Sequence, residues 1–137
     1  MSQAPDCQVL TLGEPLVLFA ATEAGPLADA SRFERFAAGA ELNVAIGLAR
    51  LGCGGGDLSR MGDDSFGQFL LDVLDRDGIA RRGVSIDGQR PTGFMLKSRA
   101  DDGSDPAIEY HPSRLGGQRH VGRLSALGGS STIVQAT

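Results

Sequence analysis

The sequence predicts an α/β fold built from strand–helix units with a β-hairpin attached. Three stretches carry that expectation. Val9-Leu10-Thr11-Leu12 is a short apolar run closed by Gly13, the pattern of a buried parallel strand. A small-residue turn at Ala38-Gly39-Ala40 opens a helix that runs from Glu41 to Leu51 and stops at Gly52. Phe66, Phe69, Leu70, Val73 and Leu74 recur at i, i+3, i+4, i+7 and i+8, one stripe of a second helix.

The first strand spans Cys7 to Leu12. Pro15 cannot sit inside a central ladder, so Leu16 to Ala20 resumes as a separate extended piece. Thr22 to Asp29 has the Gly-Pro chemistry of a surface loop. Phe33 and Phe36 are spaced to anchor a short strand or turn ahead of Gly39. In the first helix Leu42, Val44, Ala45, Ile46, Leu48, Ala49 and Leu51 lie nearly all round, which predicts a buried helix. Asn43, Gly47 and Arg50 form its one non-apolar stripe.

A strand–helix unit must return to its sheet, so a strand is expected next. Gly54, Gly55, Gly56 and Asp57 make it a weak one, centred on Gly56 to Arg60. Ser65-Phe66-Gly67-Gln68 reads as a capping box for a helix over about residues 66–77, with Gly78 at its C′ position. Ile79 and Val84 to Ile86 begin a further extended segment. Thr92 to Arg99 then alternates, with Phe94, Leu96 and Ser98 on one face and Met95, Lys97 and Arg99 on the other. Ala100 to Pro106 is a polar turn, and Ala107 to His111 pairs back as a hairpin. From Pro112 no period is sustained, and Ser130 to Val134 reads as one short strand.

The chain has 137 residues, enough for one modest core, and 41% hydrophobic content places it in the globular range. A net charge of −4 gives no footprint for nucleic acid. No apolar run approaches membrane-spanning length, and Met1 to Asp6 is not a signal peptide. Cys7 and Cys53 suit neither a disulfide framework nor a metal site, so the expectation is a cytoplasmic protein with two free thiols and no metal. All 17 acidic residues lie at or before Glu109, while the last stretch carries only Arg114, Arg119 and Arg123. That shift separates residues 1–111 from a divergent tail, 112–137.

No phosphate-binding loop, dinucleotide fingerprint or nucleophile elbow is present. The only histidines, His111 and His120, read as solvent-exposed. Asn43, the one asparagine, reads in two ways: as a cap for first-turn backbone groups, or as a polar contact for a hydroxylated ligand. The Cβ-free approach at Gly39 favours the second. Asp63-Asp64 complements a helix dipole. Met95, Lys97 and Arg99 fit an exposed hairpin face, and Tyr110, the only tyrosine, fits hairpin packing equally well.

The order of these pieces is more specific than any one of them. Gly13-Glu14 after the first strand, Ala38-Gly39-Ala40-Glu41-Leu42-Asn43-Val44-Ala45 at the helix start, and Arg60-Met61-Gly62-Asp63-Asp64-Ser65-Phe66-Gly67 before the next helix resemble the ribokinase (phosphofructokinase-B type) sugar kinases. Thr92-Gly93-Phe94-Met95-Leu96 and Glu109-Tyr110 continue that order, and the resemblance covers about residues 8–111. Within the family, Gly-Glu-Pro and Ala-Glu-Leu-Asn look most like 2-keto-3-deoxygluconate kinases.

The resemblance implies a Rossmann-like αβα fold, present as an amino-terminal portion, with a small β-lid over the sugar. It implies substrate contacts from Gly13, Glu14, Gly39, Ala40, Asn43, Met95 and Tyr110. Met95 stands where related kinases often place a lid tyrosine. Tyr110 matches a lid tyrosine at the substrate's carboxylate end, and Pro112 occupies the place of an arginine that usually follows. The family's catalytic aspartate, in a Gly-Ala-Gly-Asp motif, has no counterpart here, so no catalytic residue is assigned. ATP and Mg are implied for the full-length family member; this chain is expected to bind neither. The expected partner is a sugar or sugar acid, and the lid is a candidate homodimer contact. Residues 112–137 are expected to reflect a truncated or frame-shifted gene product.

Overall fold

The computed structural model describes residues 9–111 and 132–134. Two four-stranded sheets share one core. The first is all parallel, in the order β5-β4-β1-β8, and comprises β1 (Val9–Leu12), β4 (Gly55–Gly62), β5 (Val84–Asp87) and β8 (Thr132–Val134). The second runs β3-β2-β6-β7, from β2 (Leu16–Ala24), β3 (Phe33–Ala38), β6 (Phe94–Arg99) and β7 (Ile108–His111). Its central β2/β6 pair is parallel and its outer pairs are antiparallel. Helices α1 (Ala40–Arg50) and α2 (Ser65–Arg76) complete the described fold.

Strand order explains the layering. The chain moves from β1 to β4 to β5 in one direction, so two right-handed crossovers place α1 and α2 on the same face of the parallel sheet. Leu42 and Ala45 of α1 meet Met61 of β4, Leu70 and Leu74 of α2, Ile79, and Val17 of β2 in one buried cluster. Each fully buried large side chain there contributes roughly 1.5–3 kcal/mol. Both helices end on a left-handed glycine. Gly52 has φ 85° and Gly78 has φ 69°. Cys53 N–H donates to Leu48 O, and Ile79 N–H to Leu74 O, the six-to-one bonds of Schellman caps.

The second sheet lies on α2 through aromatic rings. Phe19, Phe66 and Phe94 form a triangle with centroid separations of 5.4, 6.0 and 6.2 Å. The Arg35 guanidinium sits 4.0 Å from the Phe69 ring centre. The opposite face of this sheet carries Phe36, Leu18, Met95 and Tyr110, which stand in one cross-strand row. Phe36 and Tyr110 are exposed.

The α/β class, both helices and the β6–β7 hairpin agree with the sequence reading. Five details differ. The segment read as a loop from Thr22 is strand through Ala24, followed by a one-turn 3₁₀ helix, Leu27–Asp29. Thr22 N–H donates to Arg32 O just ahead of β3, and Ala24 pairs with Arg99 of β6, which extends it. The apolar helix α1 is not buried all round: Val44 is exposed, and Leu51 at its end is 81% exposed, because only one side meets β1 and β4. The strand expected to be weak is an eight-residue interior strand, flanked by parallel partners on both edges. Phe33 and Phe36 do lie on a strand, but exposed rather than as anchors.

The capping box is also corrected. Asp64, not Ser65, is the N-cap of α2: its Oδ1 accepts from Gly67 N–H at 2.8 Å. Gln68 reaches forward to Asp72 instead of back to the cap. The aspartate wins because its second oxygen is engaged as well, by Thr92 N–H at 2.8 Å. Ser130 to Val134 does contain a strand, β8, while Cys7, Pro112, Arg114, Arg119, Arg123 and His120 lie outside the described residues.

Asp57 explains how β4 tolerates an interior acid. Its Oδ1 accepts from the Thr11 hydroxyl at 3.0 Å and its Oδ2 from the Ser59 hydroxyl at 2.5 Å, all three side chains being buried. Burial pushes its carboxyl above the ordinary 3.8, the two hydroxyls pull it back, and the Glu41 charge raises it further. A raised folded-state value means that stability falls as pH rises from about 3.8 through that value. Asp57→Asn should therefore gain on the parent chain as pH rises through that window and hold a constant margin above it. Thermal melts across pH would show it; a margin independent of pH would contradict the burial argument.

Candidate functional site

The expected site residues converge where the second sheet joins the first. The chain leaves the parallel sheet after β1 through Gly13-Glu14-Pro15 and returns from β3 into α1 through Gly39. These crossings touch. Gly39 has φ 128°, and a Cβ there would lie 3.1 Å from the Glu14 carbonyl oxygen and 3.4 Å from the Pro15 Cα. A Cβ on Gly13 would collide with the Glu41 carboxyl group. Gly39 is therefore required by its positive φ and by the backbone against it, whatever binds beside it, whereas at Gly13 only the movable end of the Glu41 side chain stands in the way.

Ala40 is the first residue of α1 and is exposed. Gly39 is the N-cap and offers no side chain to close the first turn. Its carbonyl accepts the first helical bond, from Asn43 N–H at 2.9 Å. The Asn43 side chain is exposed and makes no hydrogen bond to the described residues, so the capping reading of Asn43 is not realised. Asn43, Gly47 and Arg50 do form an exposed stripe, as their spacing predicts.

Tyr110 joins the second sheet to this corner. Its hydroxyl donates to Glu14 Oε2 at 3.2 Å, across 96 residues of sequence. Tyr110 is therefore more than hairpin packing. Met95 stands directly opposite it in the β6/β7 ladder and is half-buried. The structure thus brings Gly39 and Tyr110 each against Glu14, sets Gly13 under Glu41 and Ala40 and Asn43 on the adjoining helical turn, and links Met95 only through its pairing with Tyr110.

Glu41 is the residue to which sequence reasoning gave no role. It packs over Gly13 and its charge reaches Asp57. Only its place inside the quoted helix-start motif hinted at this. From sequence Asp64 reads as a dipole complement, and its tie to Thr92, 28 residues away, leaves no local signal.

The corner does not suit a nucleotide phosphate. Glu41 in the first turn of α1 puts negative charge where a triphosphate needs positive charge, and the Glu14 carboxylate at the Tyr110 hydroxyl adds a second negative group to the corner. The N-terminus of α2 is already filled by the Asp64 carboxylate. Among the described residues, no group of three or more His, Cys, Asp or Glu side chains could hold a metal ion, and no helix is long and apolar enough to cross a membrane. Exposed polar groups beside a Cβ-free turn instead suit a neutral hydroxylated surface.

Burial raises the Tyr110 phenol above its ordinary 10.0, and the adjacent Glu14 charge and hydrogen bond raise it further. The chain has one tyrosine and no tryptophan, so tyrosinate absorbance reports this residue alone. Glu14→Gln should move the titration midpoint down toward 10.0. An unchanged midpoint would mean that the two side chains do not meet in solution.

The family model described as pfkB family carbohydrate kinase matches residues 8–114. The 2-dehydro-3-deoxygluconokinase of Bacillus subtilis is 42% identical over 103 residues, which cover 74% of this chain and 32% of that protein. The crystal structure of a PfkB protein from Polaromonas sp. JS666 superposes with a TM-score of 0.73 at 46% identity, covering 77% of this chain and 35% of the other. A sugar kinase from Pyrococcus horikoshii, solved in complex with ATP, gives a TM-score of 0.71 at 31% identity over 75% of this chain and 33% of that one. The chain spans about a third of the length of these relatives. Motif order, two-sheet architecture and the span of the match agree: the chain belongs to the pfkB family of carbohydrate kinases.

Proposed function

We propose that residues 9–111 form the sugar-facing part of a carbohydrate kinase domain. The single observation that carries this reading is the Tyr110–Glu14 hydrogen bond, which ties the outer strand of the second sheet to the Gly13/Gly39 corner. The second sheet then acts as a lid. Its Met95–Tyr110 row supplies an apolar and aromatic surface, and Asn43 supplies an unengaged amide on the adjoining helix. Such a pairing suits a sugar ring, with one apolar face and hydroxyls at its edge.

The reaction proposed for the whole protein is ATP-dependent phosphoryl transfer to a hydroxyl of a sugar or 2-keto-3-deoxy sugar acid. The bacterial relative named as a 2-dehydro-3-deoxygluconokinase supports the sugar-acid reading, and its coverage supports the assignment only over the aligned third. ATP with Mg would supply the phosphoryl group and neutralise its charge; neither helix start described here fits that role. The contribution of these residues is to bind and orient the acceptor hydroxyl and to keep water from it. We place residues 1–111 in this sugar-binding part; of the basic stretch 112–137, Thr132–Val134 joins the same parallel sheet as β8, beside β1.

A second reading has its own observation. Phe36, Tyr110 and Ile108 are exposed on the outer side of the lid sheet, at 44%, 48% and 60%. An apolar face of this kind fits a second copy of the chain. Sedimentation with and without sugar separates the readings: a dimer indifferent to sugar favours assembly, and a sugar-dependent change favours the binding role.

For the binding role, keto-deoxygluconate, fructose and ribose should be titrated calorimetrically against the chain and against Asn43→Ala. Loss of one or two hydrogen bonds to the ligand predicts roughly tenfold weaker binding of the preferred sugar. Equal affinity in both chains would remove Asn43 from the site, and no binding of any sugar would overturn the reading.

A further inference from the structure

The second sheet is joined to the parallel sheet at three described crossings. Two run through Gly13 and Gly39. The third, from β5 to β6, is built differently. Thr92, two residues before β6, is 3% exposed. Its N–H donates to Asp64 Oδ2 at 2.8 Å and its hydroxyl donates to Asp64 Oδ1 at 2.8 Å. The same hydroxyl accepts from Gly62 N–H at 2.9 Å, at the end of β4. Asp64 Oδ1 meanwhile caps α2 through Gly67 N–H. One carboxylate and one hydroxyl therefore join the end of β4, the start of α2 and the root of β6.

The neighbouring glycines exist for this junction. A Cβ on Gly62 would come within 2.5 Å of Asp64 Oδ2, 2.6 Å of Arg90 O and 2.7 Å of Thr92 N. A Cβ on Gly67 would strike Gly62 O. Just beyond the junction Gly93 O accepts from Val17 N–H at 3.1 Å, so β6 enters beside the first residues of β2. Burial alone would raise the Asp64 carboxyl, but the donors from Thr92, Gly67 and Phe66 outweigh it and hold it below 3.8. It stays ionised, and each of these bonds is charge-assisted.

From this we infer that Asp64 and Thr92 are positioning residues for the lid: they bolt the root of β6 to the start of α2. Rearrangement of the second sheet is confined to the glycine crossings and the hairpin end, while the β5–β6 crossing stays fixed to the helix. The bolt belongs to the lid's attachment and stands whether or not the ligand is a sugar.

Thr92→Val tests it. Valine keeps the shape and the backbone N–H, leaves the Asp64–Gly67 cap intact, and removes both hydroxyl bonds. Amide hydrogen exchange should accelerate roughly ten- to a hundredfold at Gly62 and in β2, β6 and β7, with β1, the rest of β4 and the body of α2 unchanged. Thr92→Ser, which restores the hydroxyl, should return the parent pattern. Uniform acceleration across both sheets, no acceleration, or failure of serine to rescue would each overturn the inference. Should the valine chain not fold, the parent chain decides alone. The Thr92 and Gly62 amides should then exchange as slowly as the interior of β4; exchange as fast as the exposed loop at 88–90 would overturn it.

Discussion

The chain must leave the parallel sheet after one strand and come back, and the rest of the structure depends on how closely the two crossings pass. Gly39 and the Glu14 backbone are separated by less than a side chain needs. That contact lets β2 and β3 fold out as a second sheet while α1 still starts beside β1. It also leaves polar groups at a bare backbone corner, where Glu14, Glu41 and Asn43 have nowhere apolar to go. Gly39 is explained by this steric requirement without a ligand, and the proposal for a ligand rests on what surrounds it.

Charge distribution decides which ligand class the corner suits. The Glu41 carboxylate lies in the first turn of α1, which would otherwise attract an anion, and the Glu14 carboxylate accepts from the Tyr110 hydroxyl. Asp57, beneath them, is kept in place by two hydroxyls and not by a cation. In the proposed reading the two carboxylates serve as acceptors for ligand hydroxyls and the Asn43 amide as a donor. In the same proposed reading the cross-strand row of Leu18, Met95 and Tyr110 is the complementary surface.

Local chemistry was legible in the sequence and long-range pairing was not. The stripe of Leu70, Val73 and Leu74 set the buried face of α2, and Gly52 and Gly78 marked the helix ends. Alternation from Phe94 to Arg99 found the hairpin. The extension of β2 to Ala24 escaped because its partner, Arg99 of β6, lies far along the chain. The exposure of Val44 escaped because an apolar pattern says what a helix can bury, not what is there to cover it. The capping role of Asp64 escaped because a serine one residue later fits the local motif equally well; only Thr92 settles the choice. In the site, the close approaches of Gly13 and Gly39 could be suspected from composition, whereas the Tyr110–Glu14 bond required the fold.

The junction at Thr92 also bears on strand register. Side chains alternate along β6, so a slip by one residue would exchange Phe94, which packs among Phe19 and Phe66, with Met95, which lies on the outer row. Nothing in a parallel β2/β6 ladder forbids such a slip by itself, since its hydrogen bonds repeat evenly. Thr92 is held from two sides only two residues upstream, so the phase of the strand is set before the ladder begins. The same atoms that fasten the sheet thus choose which of its two faces looks inward.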